Sequence, residues 1–206
     1  MHQACRNDAG GSDPDRRPPG VVSIAGPVSR FALALVLVTA ASASALRAQT
    51  HAPTEEYRLK AAFVYRFPQF VEWPPHALDG HDQVSLCVTR PNPFGALLQE
   101  LVAGETLNGR SLAVREIDRP SEVDGCQVLF IAAAETGVKA VLDAATMHAV
   151  LTVGESPRFL DEGGVINLQV IGRRVRFEVS PAAAERVGLR LSSQLLRLAI
   201  RVRGAS

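Results

Sequence analysis

One stretch, Tyr57–Pro75 (YRLKAAFVYRFPQFVEWPP), constrains this chain more than any other. It holds both tyrosines, the single tryptophan and three of the eight phenylalanines of a chain whose aromatic content is only 5%. Leu59, Ala62, Phe63, Phe67 and Phe70 recur at helical spacing and make one apolar stripe, while Tyr57, Ala61, Val64 and Tyr65 wrap toward the opposite side. A stripe that wide predicts a helix covered on more than one face. Pro68 removes one N–H from the ladder and crowds the carbonyl of Val64, so the helix is expected to kink or stop there, with Phe70–Trp73 continuing briefly before Pro74–Pro75. Leu59, Phe63, Phe67 and Phe70 are expected to pack on a sheet. Tyr57, Tyr65, Arg66, Glu72 and Trp73 then remain as a candidate contact surface for a partner, with core packing as the plain alternative.

The N-terminus reads as a targeting segment. Residues 1–29 carry no sustained apolar period; Arg30 introduces the apolar run Phe31–Ala40, and small residues follow through Ala45. That order is the order of a secretory signal, with cleavage expected between Ala43 and Ala48. The run is too short for a membrane anchor. The long, partly acidic start is unlike a signal's basic region, so Val21, Val22 or Val28 is the expected true start. The resulting division is residues 1–48 as extension and signal and residues 54–203 as one folded domain. The chain has 22 basic and 21 acidic groups; five Arg and three Asp of these lie in residues 1–49, so the remainder has a net charge of −1. Nothing in that balance points to nucleic acid or to a membrane surface.

Cys5 falls in the discarded segment, which leaves Cys87 and Cys126 as an even pair in an oxidising compartment, expected to be a disulfide. Two buried free thiols in adjacent strands are the alternative.

Beyond the helix, Val84–Thr89, Ser111–Ile117, Cys126–Ile131 and Met147–Val153 read as strands. Ala96–Val102 and a segment from about Thr136 carrying Val138, Val141, Leu142 and Ala145 read as helices between them. Strand–helix alternation of this kind predicts an α/β layer with parallel pairing. Gly154, Glu155 and Ser156 follow a strand's carboxyl end, where such folds place ligand contacts, and with Gly163 and Gly164 they form a candidate ligand loop. Glu155, Asp161 and Glu162 more simply make a solvated acidic rim. Val165–Val170 and Arg174–Val179 alternate apolar and polar positions across Ile171–Arg173 and predict an antiparallel hairpin. Ile166, Leu168, Val175, Phe177 and Val179 are expected to face inward, and Arg174, Arg176 and Glu178 to face water. Ser180–Pro181 caps a short helix closed by Gly188. Ser192 caps a final helix that packs Leu195, Leu196, Ala199 and Val202 inward, with Arg197, Arg201 and Arg203 as a solvated basic edge.

No catalytic constellation assembles: His76, His81 and His148 have no carboxylate at a diagnostic spacing, and nucleophile-elbow, Walker and dinucleotide motifs are missing from the sequence. No metal or cofactor site is nominated, and the chain is read as non-enzymatic.

The segments LKAAFVYRFPQFVEWP, SLCV, GCQVLFI, VLTVGESPRFLDEGGVINL and RVRFEVSPAAAERVGLRLSSQLLRLA, behind a signal peptide, together resemble the YfiR-like family of periplasmic regulators, over about residues 55–203. The resemblance implies a single three-layer α/β domain with a mixed, largely parallel sheet, similar to half of a periplasmic binding protein and often dimeric. It implies a negative regulator that docks on the periplasmic sensor domain of an inner-membrane signalling protein, a diguanylate cyclase or a sensor kinase, with no membrane insertion of its own. It also matches Cys87 and Cys126 to a structural disulfide. The alternative reading is a periplasmic small-molecule-binding module feeding a sensor or transporter.

Overall fold

The computed structural model describes residues 53–75 and 77–204, which fall in one compact unit, Thr50–Ser206. The expectations for residues 1–48, Cys5 and His76 lie outside the described residues.

Helix α1, Glu55–Arg66, is capped by the Thr54 hydroxyl, which accepts from the Tyr57 N–H, and carries Glu55 and Glu56 where the helix dipole favours acids. It stops where Pro68 requires. The chain tightens into a 3-10 turn, Phe67–Phe70, and then extends as β1, Val71–Glu72, instead of continuing helical through Trp73. A central sheet follows: β2 (Gln83–Thr89), β3 (Thr106–Leu107), β4 (Arg110–Ile117), β5 (Val128–Ile131), β6 (Leu151–Gly154), β7 (Ile166–Ile171), β8 (Arg174–Val179) and β10 (Arg201–Val202). The order across the sheet is β10-β8-β7-β6-β5-β2-β4-β3, parallel except for the β3–β4 and β7–β8 hairpins. A separate two-stranded ribbon pairs β1 with β9, Arg190–Leu191.

β5 and β6 are buried at every position because both sheet faces are covered. On one face Val84, Leu86, Val88, Phe130, Leu151 and Val153 meet α1, α2 (Leu97–Val102), α4 (Pro181–Arg186) and α5 (Ser193–Leu198). On the other, Cys87, Leu129 and Ile131 meet α3 (Val138–Ala145) and Phe159. The result is a three-layer α/β fold with a mixed, largely parallel sheet, as the sequence predicts.

Four expectations are corrected. First, α1 is rolled from the expected orientation: Phe67 is buried as expected, but Ala61 and Val64 join it inside, whereas Leu59 is 43% exposed, Ala62 is exposed and Phe63 and Phe70 are half-buried against the core. The helix is pulled round because Lys60, on the same side as Ala61 and Val64, is also buried. Second, residues 146–149 form a turn, with Met147 80% exposed, and the strand starts only at Leu151. Third, Glu178 is buried although it alternates with Phe177 and Val179, because the chain beyond α5 returns to cover it. Fourth, that return shortens the last helix to Ser193–Leu198; Val202 is 37% exposed, and β10 runs parallel to β8 with Arg201 opposite Glu178. The hairpin β3–β4 turns on Asn108–Gly109, both at positive φ (52° and 79°).

Cys87 and Cys126 are joined, with Cα atoms 5.8 Å apart, and both are buried. The Arg115 guanidinium lies over the pair, donating to the carbonyls of Glu122 (3.0 Å) and Asp124 (2.7 Å). The bond ties β2 to the segment that enters β5, two strands already paired in parallel. Replacing both cysteines by alanine is expected to cost about 2–4 kcal/mol through the freed unfolded chain, read as a lower urea midpoint with an intact far-UV spectrum.

Candidate functional site

Beyond the carboxyl ends of β5 and β6, α1 brings a buried charge to meet another. The Lys60 side chain is 6% exposed and that of Glu155 2%. Glu155 is the first residue after β6, so its position is set by the strand, and its carboxylate is fully engaged. Oε2 accepts from Lys60 Nζ, while Oε1 accepts from the Ala133 N–H at 2.8 Å, just past β5, and from the Tyr57 hydroxyl at 3.2 Å. Glu56, one turn before Lys60, takes a second bond from the same ammonium. Burial alone lowers the Lys60 pKa, but the hydrogen bonds to Glu155 and Glu56 outweigh it and hold the amine above its usual value. Burial first, and then the Glu155 charge, raise the Tyr57 phenol. Tyr57 is thereby kept neutral as a donor. Its ring meets Phe94 edge-on, with centroids 5.9 Å apart.

These groups line one wall of an open cavity of about 570 Å³ whose other walls come from β7, β8 and β10. Asn167 and Glu178 stand directly opposite each other in the β7–β8 register. Glu178 accepts from Gln169 Nε2 at 3.0 Å and pairs with Arg201 Nε at 3.3 Å. Arg203 bridges to Asp161. Asn167 is 1% exposed, and its Oδ1 has no hydrogen-bond partner. A buried amide oxygen left unpaired costs about 1–3 kcal/mol, so something normally satisfies it.

The candidate ligand loop separates into two roles. Gly154 and Gly164 hold the Phe159 ring between them: a Cβ on either would stand 2.2 Å and 2.1 Å from ring carbons. They are packing glycines. Gly163 has φ +106°, Ser156 buries an unpaired hydroxyl, and of the five only Glu155 lines the cavity. Sequence reasoning did not select Lys60, Asn167, Gln169, Glu178, Arg201 or Arg203. The available signal was an amide and a carboxylate at facing positions of the hairpin, Asn167 and Glu178, which alternation assigns to solvent.

The candidate contact residues have separate partners. Tyr57 belongs to the cavity. Tyr65 donates to Glu105 at 2.7 Å, with Arg66 over its ring at 5.2 Å. Trp73 is half-buried, its Nε1 donating to the Ala149 carbonyl at 3.2 Å, and Glu72 is exposed in β1. Arg66 also edges a second feature. This is an apolar groove of about 320 Å³ lined by Leu59, Phe63, Phe67, Phe70, Phe177 and Leu198. Its rings are already packed, Phe67 on Phe177 at 5.2 Å and Phe63 on Phe67 at 5.6 Å, while Leu59 and Leu198 stand open at its rim.

Among the described residues no group of three or more His, Cys, Asp or Glu is placed to hold a metal ion, and no helix is long and apolar enough to cross a membrane. His148 lies 3.7 Å from Asp124 at the surface.

Lys60→Met is expected to destabilise the fold by about 3–5 kcal/mol, because Glu155 is left charged and buried; Lys60→Met with Glu155→Gln should recover part of the loss. Since the Lys60 and Tyr57 pKa values are raised on folding, their stabilisation is present below their unfolded values and is lost as pH rises past them. The urea midpoint should therefore fall above about pH 10 in the wild type and less steeply in Lys60→Met.

A search of the curated proteins finds no match. Among solved structures, a conserved domain protein from Vibrio cholerae aligns with a TM-score of 0.47 at 11% identity, covering 69% of this chain and 60% of that one. The ABC domain in complex with L-Trp from Streptococcus pneumonia aligns with a TM-score of 0.44 at 9% identity, covering 58% and 54%. The chain thus spans less than two thirds of either. The YfiR/HmsC-like family matches residues 57–200, from the first turn of α1 to the segment entering β10. This chain belongs to the YfiR/HmsC-like family, whose members are periplasmic proteins with regulatory, non-catalytic roles.

Proposed function

We propose that this protein is exported to the periplasm and acts, without catalysis, by docking on the periplasmic sensor domain of an inner-membrane signalling protein, a diguanylate cyclase, and holding its output down. The carrying observation is the family match over 57–200, nearly all of the described chain. The buried Cys87–Cys126 disulfide is consistent with an oxidising compartment. The groove between α1 and α5 supplies a surface suited to such a partner. It is apolar and concave, it has packed aromatic walls, and the exposed Arg66 guanidinium at its edge, over the Tyr65 ring, is placed to meet acidic groups around an apolar anchor. A homodimer, in which each copy presents its own groove, is compatible with this use.

Deletion of the gene should raise cyclic-di-GMP, and the purified protein should bind the partner's periplasmic domain. Leu59→Asp, at a residue already 43% exposed, should leave the melting temperature unchanged, weaken that complex by about tenfold or more and reproduce the deletion phenotype. Unchanged cyclic-di-GMP on deletion together with no complex by titration calorimetry would overturn the docking function. An unaffected complex with Leu59→Asp would move it to another face.

A further inference from the structure

The cavity at the carboxyl ends of β5 and β6 has features that docking does not use, and they specify a ligand chemistry. We propose that it binds a small, net-neutral, polyhydroxylated ligand of the monosaccharide class.

The first ground is charge. The acidic and basic side chains lining the cavity are already matched with one another or with a neighbour. Lys60 sits between Glu155 and Glu56, Glu178 is paired with Arg201, and Arg203 is paired with Asp161. The lining itself carries three carboxylates (Glu56, Glu155 and Glu178) and three cations (Lys60, Arg201 and Arg203), so it offers an ionic ligand no net charge in return for the water shed. A neutral ligand meets no such penalty.

The second ground is hydrogen bonding. Asn167 lines the cavity, is 1% exposed and leaves Oδ1 without a partner, so the site asks for a donor there. Around it stand groups with donors to spare, since a guanidinium carries five N–H groups and an amide two. Gln169, Arg201 and Arg203 are such groups on the same lining. A hydroxyl both donates and accepts, so one hydroxyl can give to Asn167 Oδ1 while receiving from a neighbouring N–H. An ammonium can do only the first and a carboxylate only the second.

The third ground is geometry. Asn167 and Gln169 are two apart on β7 and share a face, and Glu178 lies opposite Asn167 on β8. Two planar, two-headed amides therefore stand on one ribbon face, and Glu178, its oxygens taken by Gln169 and Arg201, orients those two side chains. Pro157 and Val170, the latter 48% exposed, offer a hydrocarbon wall for a ring's C–H face. The volume, about 570 Å³, is that of an ordinary small-ligand site.

The inference goes beyond docking and is independent of it, because the groove and the cavity use different residues of α1: Leu59 and Phe63 against Tyr57 and Lys60. The test is titration calorimetry and thermal shift on the whole secreted protein with D-glucose, D-galactose and N-acetyl-D-glucosamine. L-glutamate, L-lysine and glucose 6-phosphate serve as charged comparators. The expected result is saturable binding of at least one neutral sugar, insensitive to salt, with affinity reduced about tenfold or more in Asn167→Leu and in Gln169→Ala and unchanged in Leu59→Asp. If Asn167→Leu does not fold, Gln169→Ala, at a half-exposed position, gives the same reading. Saturation only by a charged comparator, no saturation by any neutral sugar, or wild-type affinity in the folded variants would each overturn the proposal.

Discussion

The placement of α1 depends on one buried ion pair. Lys60 and Glu155 lie 95 residues apart in the chain and meet almost out of water, the ammonium held by two carboxylates and the carboxylate held by three donors. Either charge alone at that depth would be costly, so neither the helix nor the loop after β6 can move without the other. Hydrophobic burial of Val64 and Phe67 presses the helix onto the sheet, but burial is non-directional and would allow the helix to roll. The ion pair removes that freedom by fixing the rotation about the helix axis.

Fixing that rotation creates both surface features at once. With Ala61, Val64 and Lys60 inward, Tyr57 and Glu56 are turned to the cavity, and Leu59 and Phe63 are left over the gap between α1 and α5. A helix with aromatic residues on two sides cannot bury both against a single sheet, so one side becomes a groove. The loop after β6 is stiffened from behind by Phe159, which occupies the space that Gly154 and Gly164 leave open, and this holds Glu155 at the cavity wall. The disulfide braces β2 against the entry to β5, whose far end supplies the Ala133 N–H to the same carboxylate.

Much of the fold was legible because the signals were local. The break at Pro68, the caps at Ser180 and Ser192, the hairpin around Gly172–Arg173 and the buried runs of β5 and β6 each follow from a few adjacent residues. The site was much less legible. Gly154–Ser156 was a reasonable place to look, yet the glycines there serve a phenylalanine. The acid beside them acts through Lys60 and Tyr57, nearly a hundred residues away. Glu178 was assigned to water by strand alternation, which holds only while nothing covers the outer face. A two-residue strand, β10, pairs alongside β8 and lays the Arg201 side chain beside Glu178. The two-residue link from α5 to β10, Ala199 and Ile200, breaks a helical pattern with no proline or glycine to announce it, because the competing attraction is the unpaired edge of β8.

By itself, then, the sequence determined the fold class, the paired cysteines and the family. Helical and strand periods, small-residue turns and the order of segments are properties of neighbouring residues, and they survive without coordinates. Only the tertiary structure decided which face of α1 is inside, that Lys60 and Glu155 meet, and that Asn167, Glu178, Arg201 and Arg203 gather on one cavity. Those are pairings between distant segments, and their energies depend on desolvation. A charge is worth burying only where its partner already waits, and that condition is set by the assembled sheet rather than by any one stretch of chain.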